Sequence, residues 1–165
     1  MADLTFITPT FAVTTALTEA DFADLASGGV AAVISNRPDG EDGATITARG
    51  EAVAAWRSGL TFRHIPVAKH EALEPRAVEA MADAIEGLDG VVVAHCKSGW
   101  RSAVLWAAAS ARREPVDCVL AALKRAGIDL AELRDDLAAQ AGQHRTLRTS
   151  PVPALDCSEA LQVAA

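Results

Sequence analysis

What the chain has little of narrows it first. Three cysteines, Cys96, Cys118 and Cys157, are odd in number and widely spaced. That pattern fits neither a disulfide framework nor a zinc cluster, and it leads to the expectation of free cytosolic thiols. Basic residues are outnumbered, 15 Lys and Arg against 22 Asp and Glu, for a formal net charge of -7, and nowhere do they gather into more than a pair. Such a chain offers no electrostatic footprint for a nucleic-acid backbone or an anionic membrane, so neither is expected as a partner. No apolar run reaches the length of a membrane span, and the opening "MADLTFITPTFAVTTAL" carries an acid where a secretory leader carries Lys or Arg. A cytoplasmic location follows as the expectation. There are no internal repeats, and neither a metal nor a cofactor is called for.

What is present is enough for a core. Half of the 165 residues are hydrophobic, which suits one domain rather than two. Strand-like and helix-like stretches alternate. "FAVT" (Phe11 to Thr14) is β-prone; "TEADFADLASGG" follows, with Thr18 and Asp21 at capping-box spacing and Phe22 and Leu25 on one face. "VAAVISN" (Val30 to Asn36) reads as a buried strand and "RPDGEDG" behind it as turn chemistry. The spacing of Val53 and Trp56 predicts a helix over Ile46 to Ser58, ended by Gly59 and weakened by Gly50, and both Trp56 and Trp106 read as core. "LTFRHIPV" (Leu60 to Val67) is a third strand. Pro75 opens a helix over Arg76 to Leu88, with Val78, Met81 and Ile85 on its buried stripe.

"GVVVAH" is a continuous apolar run of strand length, predicted to be central and buried on both faces. Helices over Val116 to Arg125 and Leu130 to Gln140 complete an α/β layer: a mostly parallel sheet of about four strands flanked by helices. Residues 1–142 form this domain. Residues 143–165, "QHRTLRTSPVPALDCSEALQVAA", have two prolines and no sustained period, and read as an extended tail. Cys157, within that tail, reads as an incidental free thiol, and Cys118 as a small buried hydrophobe on a helical face.

The chemistry lies in "VVVAHCKSGWRSAVLW", residues 91 to 106. A strand ending at His95 and a helix beginning near Arg101 leave "CKSGW" as the turn between them, at the carboxyl edge of a parallel sheet, where open α/β folds bind ligands. The turn's backbone N–H groups lack intrahelical partners and, with the helix dipole, favour an anion. That environment marks Cys96 as a nucleophile held as its thiolate. Gly99 permits the turn, and Arg101 offers a planar fork to an anionic substrate, with Lys97, Ser98 and Trp100 completing the loop. His95 is expected to support the loop by hydrogen bonding. Trp100 either walls the substrate mouth or packs on a neighbouring helix.

"HCKSGWRS", with "NRPDGE", "GLTFRHIPV" and "SAVLWA", resembles the phosphatase-like domain of beta-lactamase hydrolase-like proteins. The resemblance covers roughly Phe6 to Ser110. It implies a tyrosine-phosphatase-like fold, Cys96 as nucleophile and Arg101 as anion clamp. It further implies a sulfurtransferase among the possible activities, and as a possible partner a separate metallo-beta-lactamase-fold persulfide dioxygenase. Ser102 would stand where such phosphatases keep a hydroxyl that helps the thiolate leave a phosphocysteine; otherwise it is a helix-start residue bonded to backbone.

Several departures bear on the activity. Dual-specificity phosphatases place five residues between the Cys and the Arg, whereas only Lys97, Ser98, Gly99 and Trp100 intervene here, as in the persulfide-holding loop of rhodaneses. A shorter loop makes a smaller hollow, better suited to one terminal sulfur than to a phosphoryl group. Lys69, with His70 beside it, stands where the general-acid Asp of a phosphatase is expected. Asp39, Glu71 and Glu74 remain as unusual acid candidates. "TTAL" and "ATITAR" replace a Gly-Gln pair and a Gln-Pro stretch usual in the family, which points to different substrate selection. The expectation is therefore a sulfurtransferase that takes sulfane sulfur from a small anionic donor through a Cys96 persulfide. The alternatives are a tyrosine- or dual-specificity-type phosphatase acting on a phosphorylated substrate through phospho-Cys96, and an inactive anion-binding module.

Overall fold

The computed structural model describes residues 2–142. The expected tail, residues 143–165 with Cys157, lies outside the described residues. Five strands form one sheet: β1 (Thr5–Thr8), β2 (Phe11–Thr14), β3 (Val30–Ser35), β4 (Thr61–His64) and β5 (Val91–His95), in the order β1-β2-β5-β3-β4. β2, β5, β3 and β4 are mutually parallel, and β1 adds to the edge as an antiparallel hairpin partner of β2. The sheet thus has one strand more than the sequence pattern suggested. β1 is short and only Ile7 in it is buried, so its side chains carry little of the periodicity that reveals a strand.

Helices cover both faces. α1 (Glu19–Ser27) and α2 (Ala48–Arg57) lie on one, where Phe22, Leu25, Ala54 and Ala55 pack with Ala12, Val33 and Val93 of the sheet. α3 (Pro75–Gly87), α4 (Trp100–Ala111), α5 (Val116–Arg125) and α6 (Arg134–Ala141) lie on the other. There Met81, Leu105, Leu123 and Leu137 meet Val13, Ile34 and Ala94. β5 is buried on both sides, which explains its unbroken apolar sequence. α4 is apolar nearly all round because it runs through the middle of the second layer, and its alanines let α3, α5 and α6 approach closely. No described helix is long and apolar enough to cross a membrane.

The predicted start signals operate as read. Thr18 N and Oγ1 donate to Asp21 Oδ2 at 2.9 and 2.7 Å, closing the capping box of α1, and Pro75 is the first residue of α3. The helix expected over Leu130 to Gln140 is instead a 3₁₀ turn, Ala131–Leu133, followed by α6.

Two readings are corrected. Trp56 is 78% exposed and Val53 is exposed with it. α2 rests on Glu51, Ala54 and Ala55; its close seat on those alanines leaves no depth for an indole, and the larger apolar residues turn outward. Cys118 is buried as expected but is disulfide-bonded rather than a free thiol. Trp106, by contrast, is 3% exposed, with its ring 6.0 Å from that of Phe11. Trp106→Ala should therefore cost about 3–5 kcal/mol and Trp56→Ala no more than about 0.5 kcal/mol in urea unfolding. Equal losses would contradict this assignment of faces.

Candidate active site

Strand register brings four side chains into one row at the carboxyl edge: Thr14 of β2, His95 of β5, Ser35 of β3 and His64 of β4. Beyond that row the chain stays stitched to the sheet. Asn36 N donates to His95 O at 2.8 Å, Ile65 N to Ser35 O at 2.8 Å, and Asn36 Nδ2 to Ile65 O at 3.2 Å. After His95 the chain turns through Cys96, Lys97, Ser98 and Gly99, and α4 begins at Trp100. Gly99 has φ +82°, and a Cβ there would lie 3.3 Å from Thr14 O. Both facts require glycine: an L side chain is strained in that region and would press on the end of β2.

Cys96 is fully buried and free. Lys97 and Ser98 are exposed, and Trp100 is partly open at the rim. Arg101, the second residue of the helix, is buried with its guanidinium engaged on two sides. Nη1 donates to Val67 O at 2.8 Å, and Nη2 donates to both carboxylate oxygens of Glu41, each at 2.8 Å. Arg37 holds the same loop, donating from Nε to Glu41 Oε2 at 3.1 Å and from Nη2 to Asp42 O at 2.8 Å. The hydrogen bond from Arg101 is the main reason that the Glu41 carboxyl is held below its ordinary value. Burial opposes that bond, and the charges of Arg101, Arg37 and Lys97 reinforce it.

Glu41 was not singled out from sequence, although it closes the "NRPDGE" string and stands four residues after a buried arginine. Asp39, in contrast, is turned away from the loop: its Oδ1 accepts from Ala48 N at 2.7 Å, at the start of α2. Lys69 and His70 are exposed on a 3₁₀ turn, and Glu71 Oε2 accepts from Ala68 N at 3.1 Å within that same turn. Glu74 precedes Pro75 at the start of α3. Ser102 Oγ is buried without a hydrogen-bond partner among the described residues. His95 is fully buried; its Nε2 lies 3.3 Å from Glu51 Oε1, close enough for an ion pair but not aligned as a hydrogen bond. No group of three or more His, Cys, Asp or Glu among the described residues could hold a metal ion.

The carboxyl edge thus carries a strand–turn–helix with a buried cysteine, a left-handed glycine and an arginine bound to Val67 O and Glu41. Residues 3–113 match the family model of the phosphatase-like domain of beta-lactamase hydrolase-like proteins. The chain belongs to this family. Beta-lactamase hydrolase-like proteins from Xylella fastidiosa and Agrobacterium fabrum are 36% and 33% identical to it over 87 residues. Those residues are 53% of this chain and 20% of each relative, so the chain corresponds to about a fifth of their length. Among solved structures, a candidate phosphatase from Neisseria meningitidis superposes with a TM-score of 0.69 at 27% identity, over 82% of this chain and 96% of its own. A kinase-associated phosphatase with its catalytic cysteine replaced by serine superposes with a TM-score of 0.63 at 12% identity, over 88% and 97%, and shares the fold. The phosphatase-like domain therefore has the α/β architecture of these phosphatase structures.

The Glu41 clasp has a pH signature. A carboxyl whose folded-state value is depressed contributes stability that is present above the unfolded value and lost as pH falls through the folded one. Glu41→Gln should thus be less stable than wild type at pH 7 by about 1–2 kcal/mol. The gap should close as acid is added below the ordinary value of 4.5. Urea unfolding at neutral and acid pH checks this; a gap that is constant with pH contradicts it.

Proposed function

We propose that the protein moves sulfane sulfur through Cys96. The observation that carries this reading is the state of Glu41, the carboxylate at the loop, which Arg101 holds in its anionic form. A phosphoryl ester needs a proton for its leaving alcohol, and a positioned acid supplies about 10²–10⁴ in rate. A carboxylate held ionised has no proton to give at neutral pH, and Asp39 is occupied at the start of α2. Sulfite and thiolates leave without such help. The four-residue interval between Cys96 and Arg101 supports the same reading, since a shorter turn aims fewer N–H groups inward.

The cycle balances without a redox partner. The Cys96 thiolate attacks the outer sulfur of thiosulfate or of a glutathione-type persulfide. The Sγ–S bond forms as the donor's S–S bond breaks, and sulfite or the thiolate departs with the electron pair. An acceptor thiolate or sulfite then attacks the outer sulfur of the Cys96 persulfide and restores the thiolate. Lys97 and the loop amides bind the anionic donor, and Arg101 reaches it only with the N–H groups not already given to Val67 O and Glu41.

A second reading has its own support. Ser102 keeps a buried hydroxyl with no bond to another described residue, free to assist a thiolate leaving phosphocysteine, in a family whose domain is phosphatase-like. The two separate in one experiment. After incubation with thiosulfate or glutathione persulfide, intact mass should show one added sulfur on the wild type and none on Cys96→Ser. Steady release of an aryl alcohol from its phosphate ester, with no sulfur uptake from either donor, would replace the first reading by the second. Neither activity would leave an anion-binding module.

A further inference from the structure

β4 is an outer strand of the sheet: β3 takes one side of it, and among the described residues no strand pairs with the other. Ile65 N donates to Ser35 O at 2.8 Å. Alternate residues of a strand face a given neighbour, so the backbone N–H and C=O groups of Phe62 and His64 point outward. An open edge of this kind is a template for another strand, and proteins commonly guard one with charge, proline or a covering element.

The residues around this edge are unlike the rest of the chain. Across residues 44–70 the Lys and Arg side chains are Arg49, Arg57, Arg63 and Lys69, and the one acid, Glu51, is buried. The chain as a whole has a formal net charge of -7. Arg57 is taken by Glu19 of α1. Arg49, Arg63 and Lys69 are exposed and have no ion-pair partner among the described residues. Glu71, the first acid after Lys69, is turned back onto Ala68 N. α2 packs against both α1 and β4. Because Arg57 reaches toward α1, the side of α2 away from it carries Arg49 and Trp56 above the β4 edge. Phe62 packs with the same layer. Trp56 is the most exposed large apolar residue described, and a guarded edge gains nothing from an indole left in water beside it.

We propose that the β4 edge and the outer side of α2 dock an extended, acidic segment of a partner protein, which adds to the sheet as a further strand beside β4. Phe62 and His64 supply the main-chain bonds, Arg49, Arg63 and Lys69 meet the segment's carboxylates, and its apolar side chains cover Trp56. Charge selects this occupant over a second copy of the chain. Two β4 strands side by side bring Arg63 close to its counterpart in one ribbon, and like charges so placed destabilise a sheet. His64 stands in the row that includes His95, so one end of the docked segment lies toward the Cys96 turn. The proposal is independent of the chemistry at Cys96.

A blocked peptide in which Glu and Val alternate is titrated into the full chain and followed by the NMR amide signals of Phe62 and His64 and the indole signal of Trp56. All three should shift to saturation, with weaker binding at high salt, and the same peptide with Lys for Glu should leave them in place. Hydrogen exchange at the Phe62 and His64 amides should slow on binding, which strand pairing requires and charge attraction alone does not produce. The Arg49→Glu, Arg63→Glu double variant, altered only at exposed side chains, should bind roughly tenfold more weakly. Equal shifts with the Lys peptide, no shift with either, or unchanged exchange at saturation overturns the proposal. So does self-association in sedimentation that Trp56→Ala removes, which assigns the face to a second copy.

Discussion

The guanidinium of Arg101 is where three separate pieces of chain are made to agree. It comes from α4, takes the Val67 carbonyl beyond β4 with one nitrogen, and closes on the Glu41 carboxylate beyond β3 with the other. Charge-assisted bonds of this length are short and strong, and they are partly shielded from water. They fix the loop after β3, the segment after β4 and the first turn of α4 relative to one another. Cys96 lies between Val67 and Arg101 on the chain, so its turn is constrained by these anchors as well as by Gly99. Removing Glu41 would leave a buried guanidinium half satisfied and the "RPDGE" loop tethered only by Arg37.

The sheet supplies the second half of the frame. Because β2, β5, β3 and β4 run parallel, their carboxyl ends finish together, and Thr14, His95, Ser35 and His64 form a shelf under the turn. Gly99 can approach Thr14 only because it lacks a Cβ. One face of the shelf looks toward α2, where Glu51 meets His95; the other carries α4 and the arginine. The turn is thus braced from both layers, by the bound arginine on one and by the contact of Glu51 with His95 on the other.

Much of this could be read from the residues, because the signals were local. The strand "GVVVAH", the turn "CKSGW" and the glycine within it announce a buried strand feeding a helix, and residues consecutive in the chain cannot end far apart. Partnerships across the fold were less legible. Glu41 and Arg101 are 60 residues apart, and nothing in "NRPDGE" alone says which cation its glutamate will find; the arginine four residues earlier was the available hint. Asp39 looked equally well placed and instead caps a helix. α2 misled because its periodicity was judged from Val53 and Trp56, whereas small residues set how closely a helix sits on a sheet. Gly50, read as a weakness of the helix, lies against the preceding Ile46 side chain, which a Cβ there would approach to 2.7 Å. β1, with a single buried side chain, had almost no pattern to show.

The central claim is that the turn after β5 takes a sulfur donor in preference to a phosphoryl group. Protection of Cys96 tests it directly: the rate of alkylation by iodoacetamide is measured at neutral pH in the presence of thiosulfate and, separately, of inorganic phosphate at the same concentration. The account predicts that thiosulfate blocks the reaction and that phosphate leaves the rate nearly unchanged. Protection by phosphate, with none by thiosulfate, would contradict it.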